Sequence, residues 1–204
     1  MTKIKICGLT RMGDIACVNR LKPEYIGFVF ARRSSRYVPP ETAAMLKAAL
    51  SPKIQAVGVF VNAPAAYVAA LLDAGVINAA QLHGNEDDAY LRTLKARTGT
   101  PVIQAFRIHS TQDAARAQRS SADFVLLDSG FGGTGQMFDR SLISAVRRPF
   151  FLAGGLSPET VAKAIAETHP YAVDASTLLE SGGRKDAEKI KRFIDAVRTP
   201  RGKE

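Results

Sequence analysis

A cysteine, an aspartate and a pair of adjacent glycines, each closing a short apolar run, are the positions in this chain best suited to chemistry. Lys3–Cys7 (KIKIC) ends on a thiol and is followed by Gly8. A thiolate there would act as nucleophile or base if its proton affinity falls, and the glycine permits close backbone approach. The other cysteine, Cys17, falls on the apolar face of a helical segment and reads as a small core residue. Arg32, Arg33 and Arg36 crowd one loop, where guanidinium forks suit carboxylate or phosphate capture. In QLHGNE, strand alternation puts Gln81 and His83 on one face; no other residue is spaced to make His83 a metal ligand, so no metal is expected. Asp128 ends an apolar run, a costly place for a carboxylate unless it is paired or put to use. Four glycines follow within 130–135, a loop suited to covering a ligand. Their spacing matches neither the dinucleotide fingerprint nor the P-loop. Gly154-Gly155 would let a phosphate approach the backbone, and Ser176 and Thr177 carry hydroxyls able to donate to it.

The elements that must position these residues alternate along the chain. Apolar runs at Lys3–Cys7, Tyr25–Phe30, Ile54–Val61, Ile77–Leu82, Val102–Phe106, Phe124–Leu127, Phe150–Ala153 and Tyr171–Asp174 are rich in Val, Ile and Phe, as buried parallel strands are. Between them lie helical segments at Arg11–Leu21, Glu41–Leu50, Ala65–Asp73, Glu86–Arg97, Gln112–Arg119, Asp139–Arg147, Pro158–Glu167 and Asp186–Val197. Thr111-Gln112 and Ser157-Pro158-Glu159 read as helix starts, and Gly75 and Gly99 as helix ends. Eight such units predict an α/β protein with one (β/α)8 (TIM) barrel over residues 1–204, its last seven residues a frayed tail. In that fold the chemistry sits at the C-terminal ends of the strands, where the residues above fall.

Composition excludes several classes. The chain has 204 residues, 46% hydrophobic and 23% charged, so it is neither disordered nor collagen-like. Its longest apolar run, Ala65–Leu72, is far short of the ~18 residues of a membrane span. No apolar stretch marks the first residues as a signal peptide, and cysteine is scarce, so a cytoplasmic setting is expected. Net charge is +9, and the first fifty residues hold nine Lys and Arg against three Asp and Glu. That excess fits nucleic-acid binding, steering of an anionic small molecule, or a merely solvated surface.

KICGLT (residues 5–10), SSRYV (34–38), QLHGNE (81–86), LLDSGFGGTG (126–135) and LAGGLSPE (152–159) together resemble the phosphoribosylanthranilate isomerase family, in order and over nearly the whole chain. The resemblance implies a cofactor-free and metal-free Amadori rearrangement in tryptophan biosynthesis. Its substrate is N-(5-phosphoribosyl)anthranilate and its product 1-(2-carboxyphenylamino)-1-deoxyribulose 5-phosphate. By motif position Cys7 is the expected general base and Asp128 the general acid. Arg36 would hold the anthranilate carboxylate and His83 would face the substrate. Gly154, Gly155, Ser176 and Thr177 would line the phosphate site, with Asp174 near the sugar. Ser176-Thr177-Leu178 departs from the family's Ser-Ser-Gly turn, which puts a different backbone at that loop in prospect. The resemblance makes the small phosphosugar-anthranilate the partner, with no nucleic acid or membrane, and leaves protein partners open. Rival readings are a related histidine-pathway isomerase, a nucleic-acid binder and an inactive barrel. A second Gly-Gly loop for a second phosphate is missing after strands 3 and 4, and no aromatic–basic reader motif occurs.

Overall fold

The computed structural model describes residues 1–128 and 139–199. The glycine-rich loop after Asp128 and the last five residues lie outside the described residues.

Eight parallel strands close into a barrel in chain order: β1 (Lys3–Cys7), β2 (Tyr25–Val29), β3 (Gln55–Phe60), β4 (Ala79–Leu82), β5 (Val102–Arg107), β6 (Phe124–Asp128), β7 (Phe150–Leu152) and β8 (Ala172–Ala175). β8 returns to β1 with Lys5 opposite Asp174, which completes the ring. Alternation explains both faces of every strand. Outward residues such as Ile4, Ile6, Ile26, Phe28, Leu127 and Val173 pack with the helices in the main core. Inward residues Val57, Ala79, Ile103, Leu126, Phe151 and Ala172 fill the barrel. At the N-terminal end Lys3 Nζ donates to the Tyr171 hydroxyl at 2.7 Å, Tyr171 meets Tyr25 at 3.0 Å, and Phe124 stacks on Tyr171. That end is plugged by rings. The opposite end narrows to Cys7, Val29 and Val59, and the inward row there turns polar.

Helices α1 (Met12–Leu21), α2 (Pro40–Ala48), α3 (Ala65–Asp73), α4 (Asp88–Thr98), α5 (Thr111–Arg119), α6 (Val161–Thr168) and α7 (Ala187–Arg198) cover the barrel. None is long and apolar enough to cross a membrane. The fourth was expected from Glu86 and starts at Asp88, after the Asp87 cap, and three further differences from the sequence reading bear on the fold. The helix expected over Asp139–Arg147 is a 3-10 turn at Arg140–Ile143; Leu142 N bonds Asp139 O, Ser144 N bonds Ser141 O and Val146 N bonds Ile143 O, each to the third residue back. α5 is capped one residue earlier than expected, by Ser110, whose hydroxyl accepts from Asp113 N. α6 begins at Val161, not at Pro158, after a turn in which the Thr160 hydroxyl accepts from Ser157 N. Arg198, expected in the frayed tail, closes α7 and donates to the Leu21 carbonyl at 3.1 Å. A small antiparallel hairpin that the sequence reading lacked, β9 (Glu180–Ser181) with β10 (Arg184–Lys185), stands between β8 and α7.

Candidate active site

At the C-terminal mouth a cavity of about 280 Å³ is lined by Cys7, Arg36, His83, Asp128, Gly154, Gly155, Asp174, Ser176 and Thr177. The nine residues given roles by the resemblance therefore share one space, while Arg32 and Arg33 do not line it. A larger hollow of about 770 Å³ opens beside it around the ends of β4 and β5, and of the nine only His83 lines it. Among the described residues no cluster of three His, Cys, Asp or Glu is placed to hold a metal.

β1 supplies the first wall. Residues 3, 5 and 7 face inward, so Lys5 sits directly below Cys7. Lys5 is fully buried and donates from Nζ to Asp174 Oδ2 at 2.9 Å. Burial alone would pull its pKa down; Asp174 and Cys7 beside it more than reverse that and hold it above the ordinary lysine value. The Cys7 thiol is pushed up by burial, with Asp174 adding to the rise, while Lys5 and Lys185 pull the other way without overcoming it. Asp174 Oδ1 is buried with no hydrogen-bond partner among the described residues.

The loop after β2 and the hairpin after β8 build the second wall. Arg36 donates from Nε to Glu180 Oε1 at 2.6 Å and from Nη2 to Glu180 Oε2 at 2.8 Å and Thr177 Oγ1 at 3.0 Å. That bidentate pair fixes the guanidinium plane. It also leaves Nη1, not the Nε–Nη2 fork, for any ligand. Gly8, at φ +82°, lets Arg36 lie across it: a Cβ there would stand 2.5 Å from Arg36 Cδ. Lys185 Nζ donates to Glu180 Oε1 at 2.5 Å and to the Ser176 carbonyl at 3.1 Å. Burial would push Glu180 up, but the bonds from Arg36 and Lys185 together hold it below the ordinary carboxylate range. Lys185 itself is pulled down by burial despite Glu180.

The Ser176 hydroxyl donates to the Cys7 carbonyl at 3.0 Å, tying β8 to the end of β1. Its proton is thereby directed away from the cavity. Leu178, where the resemblance leads to the expectation of a glycine, lies in a 3-10 turn (Thr177–Leu179) and is not among the residues of positive φ. No glycine is needed there. Gly154 and Gly155, at φ +86° and +64°, do need glycine and expose consecutive backbone to the cavity.

The third wall is polar and runs across β4 and β6. Gln81, buried and on the same face as His83, meets His83 Nδ1 through Nε2 at 3.0 Å. His83 Nε2 lies 3.4 Å from Asp128 Oδ2. Glu86 of the same motif is structural: its carboxylate accepts from Asn62 N at 2.7 Å and Gly84 N at 2.8 Å and fixes the loops after β3 and β4. Sequence reasoning nominated neither Lys5, Glu180 nor Lys185. Alternation back from Cys7 points to Lys5; nothing local points to Glu180, which lies 144 residues from Arg36.

The profile of the family described as N-(5'-phosphoribosyl)anthranilate (PRA) isomerase matches residues 4–196. The chain is 41% identical over 203 residues to the N-(5'-phosphoribosyl)anthranilate isomerase of Endomicrobium trichonymphae, covering 98% of this chain and all of that one. Among solved structures it is similar to the phosphoribosyl anthranilate isomerase of Thermotoga maritima, with 36% identity, TM-score 0.90, and 97% and 99% of the two chains covered. A phosphoribosyl anthranilate isomerase crystallised with reduced 1-(o-carboxyphenylamino)-1-deoxyribulose 5-phosphate is as similar in sequence, with TM-score 0.88 over the same shares of the two chains.

Proposed function

The chain belongs to the phosphoribosylanthranilate isomerase family of tryptophan biosynthesis, and from that premise we propose how its cavity works. The enzyme is an intramolecular aldose–ketose isomerase that converts N-(5-phosphoribosyl)anthranilate into 1-(2-carboxyphenylamino)-1-deoxyribulose 5-phosphate. Asp128 is the general acid and Cys7 the general base. Asp128 gives a proton to the furanose oxygen as the ring C–O bond breaks, and the nitrogen lone pair forms the iminium. That cation acidifies the neighbouring C2 hydrogen, which the Cys7 thiolate removes; the electrons return to nitrogen and leave an enolamine that tautomerises to the ketone. The observation that supports this reading is the single cavity shared by the thiol closing β1 and the carboxyl closing β6.

The remaining residues clamp the two charged ends of the substrate, which turns binding energy into orientation. Arg36 meets the anthranilate carboxylate through its Nη1 edge, because Glu180 holds the other edge. The phosphate rests on the Gly154-Gly155 turn beside Ser176 and Thr177. Asp174 Oδ1, the open acceptor, takes a sugar hydroxyl. His83 faces the substrate and orients Asp128. We assign the whole chain to one barrel domain and place it in the cytoplasm, where its two free thiols stay reduced.

Kinetics with the phosphosugar substrate test the roles. Cys7→Ala and Asp128→Asn are each expected to lose about 10²–10⁴ in kcat with the circular dichroism spectrum unchanged. Near-normal turnover in either variant removes that residue from its role. Because burial raises the thiol, alkylation of Cys7 by iodoacetamide should show its midpoint above about 8.5, the value of a free thiol.

A further inference from the structure

We propose that Lys5 is a positioning residue of this reaction: its buried ammonium, held by Asp174, is the counter-charge to the Cys7 thiolate. The inference rests on the reading of Cys7 as the base.

Position comes first. Lys5 and Cys7 are two residues apart on one inward face, and β8 sets Asp174 level with Lys5. Lys5 is among the largest fully buried side chains of the protein. Branched apolar residues ordinarily fill such a layer of a barrel. An ammonium there loses its hydration, so packing alone does not account for it. Of its three protons, one goes to Asp174 Oδ2 at 2.9 Å, and the Cys7 side chain stands next above it on the same inward face.

Charge balance points the same way. The groups that act on the Cys7 sulfur are Lys5 from β1, Asp174 from β8, Lys185 from β10 and Arg36 from the loop after β2. Glu180 from β9 binds Arg36 and Lys185. Asp128 and His83 face the same cavity from β6 and β4. Lys5, Lys185 and Arg36 bring three positive charges, and Asp174 and Glu180 two negative ones. With Asp128 set aside as the proton donor, these five groups are one positive charge over while Cys7 is a thiol, and balanced when Cys7 is a thiolate. Of the three cations, Lys5 is the one beneath the thiol on its own strand. Asp174 plays a double part: it keeps Lys5 charged and aimed, and it opposes the thiolate.

The opposed effects of the pair give a sign test that a structural role would not produce. In a Cys17→Ala background, Cys7 is alkylated with iodoacetamide over a pH series, the sulfur displacing iodide. Lys5→Met should move the midpoint up by about one pH unit or more, and Asp174→Asn should move it down. With the substrate, Lys5→Met should lose roughly tenfold or more in kcat near neutral pH, and that loss should shrink as pH rises. Because Lys5→Met leaves Asp174 buried without its cation, the double variant Lys5→Met/Asp174→Asn is run beside it. Its midpoint should lie above that of Asp174→Asn. Midpoints that ignore Lys5 in both backgrounds overturn the inference. The two readings separate cleanly: turnover in Cys7→Ala removes the base, whereas an inactive Cys7→Ala with a midpoint indifferent to Lys5 removes only the role of Lys5.

Discussion

Cys7 is held by space as well as by charge. A Cβ on Gly27, the facing residue of β2, would stand 2.6 Å from the sulfur and 3.2 Å from the Cys7 Cα. The first contact forces the sulfur to move, and the second is tight against backbone that must give by a few tenths of an ångström. Gly27→Ala should therefore cost about 1–3 kcal/mol of stability through overpacking. It should also lower kcat by displacing the thiol, while KM changes little. Unfolding curves and steady-state kinetics read the two effects, and a variant with normal kcat would show that the sulfur tolerates displacement. At this scale much was legible. Cys7, His83 and Asp128 stand out because each is a reactive type at the end of an apolar run. Lys5 hid in plain view, because a lysine in a basic N-terminal stretch reads as solvated surface. Only burial distinguishes it from Lys3, which closes the opposite end of the barrel.

The β9–β10 hairpin is the element with the least sequence signal and a large share of the site. Two residues per strand carry no periodicity, so Glu180 and Lys185 were not foreseen. Its stability is tied to Glu180. That carboxylate is held below its ordinary value, so its contribution is complete above the unfolded value and is lost as pH falls through the lower folded one. Thermal unfolding should therefore show an acid-side loss of stability that Glu180→Gln flattens. Equal pH slopes in the two proteins between about pH 5 and 3 would exclude Glu180 as the source. The variant should also raise KM, because Arg36 loses the partner that fixes its plane. The segment after β6 teaches a related lesson. Leu142, Ile143 and Val146 have the spacing of a helical stripe, and it is the backbone, bonding to the third residue back, that makes the segment a 3-10 turn.

At the scale of the molecule, a net charge of +9 meets a substrate that carries a phosphate and a carboxylate. Arg32 and Arg33 are exposed on the loop that leads to Arg36, at the mouth of the barrel. Steering predicts that kcat/KM falls as salt is raised from about 10 to 150 mM, where the Debye length shrinks from ~30 to ~8 Å. Arg32→Ser/Arg33→Ser should weaken that dependence while kcat holds. A kcat/KM flat in salt would leave the charge a matter of solubility. The chain by itself determined the eight strands, seven of the eight helices expected beside them and which residues end the strands, because alternation, glycine turns and capping are written in neighbouring residues. Ring closure decided the rest. Only when β8 pairs with β1 does Asp174 come level with Lys5, and only then does Glu180 reach Arg36 across 144 residues. A charge's partner and its burial are properties of what the fold brings near, and no local pattern encodes them.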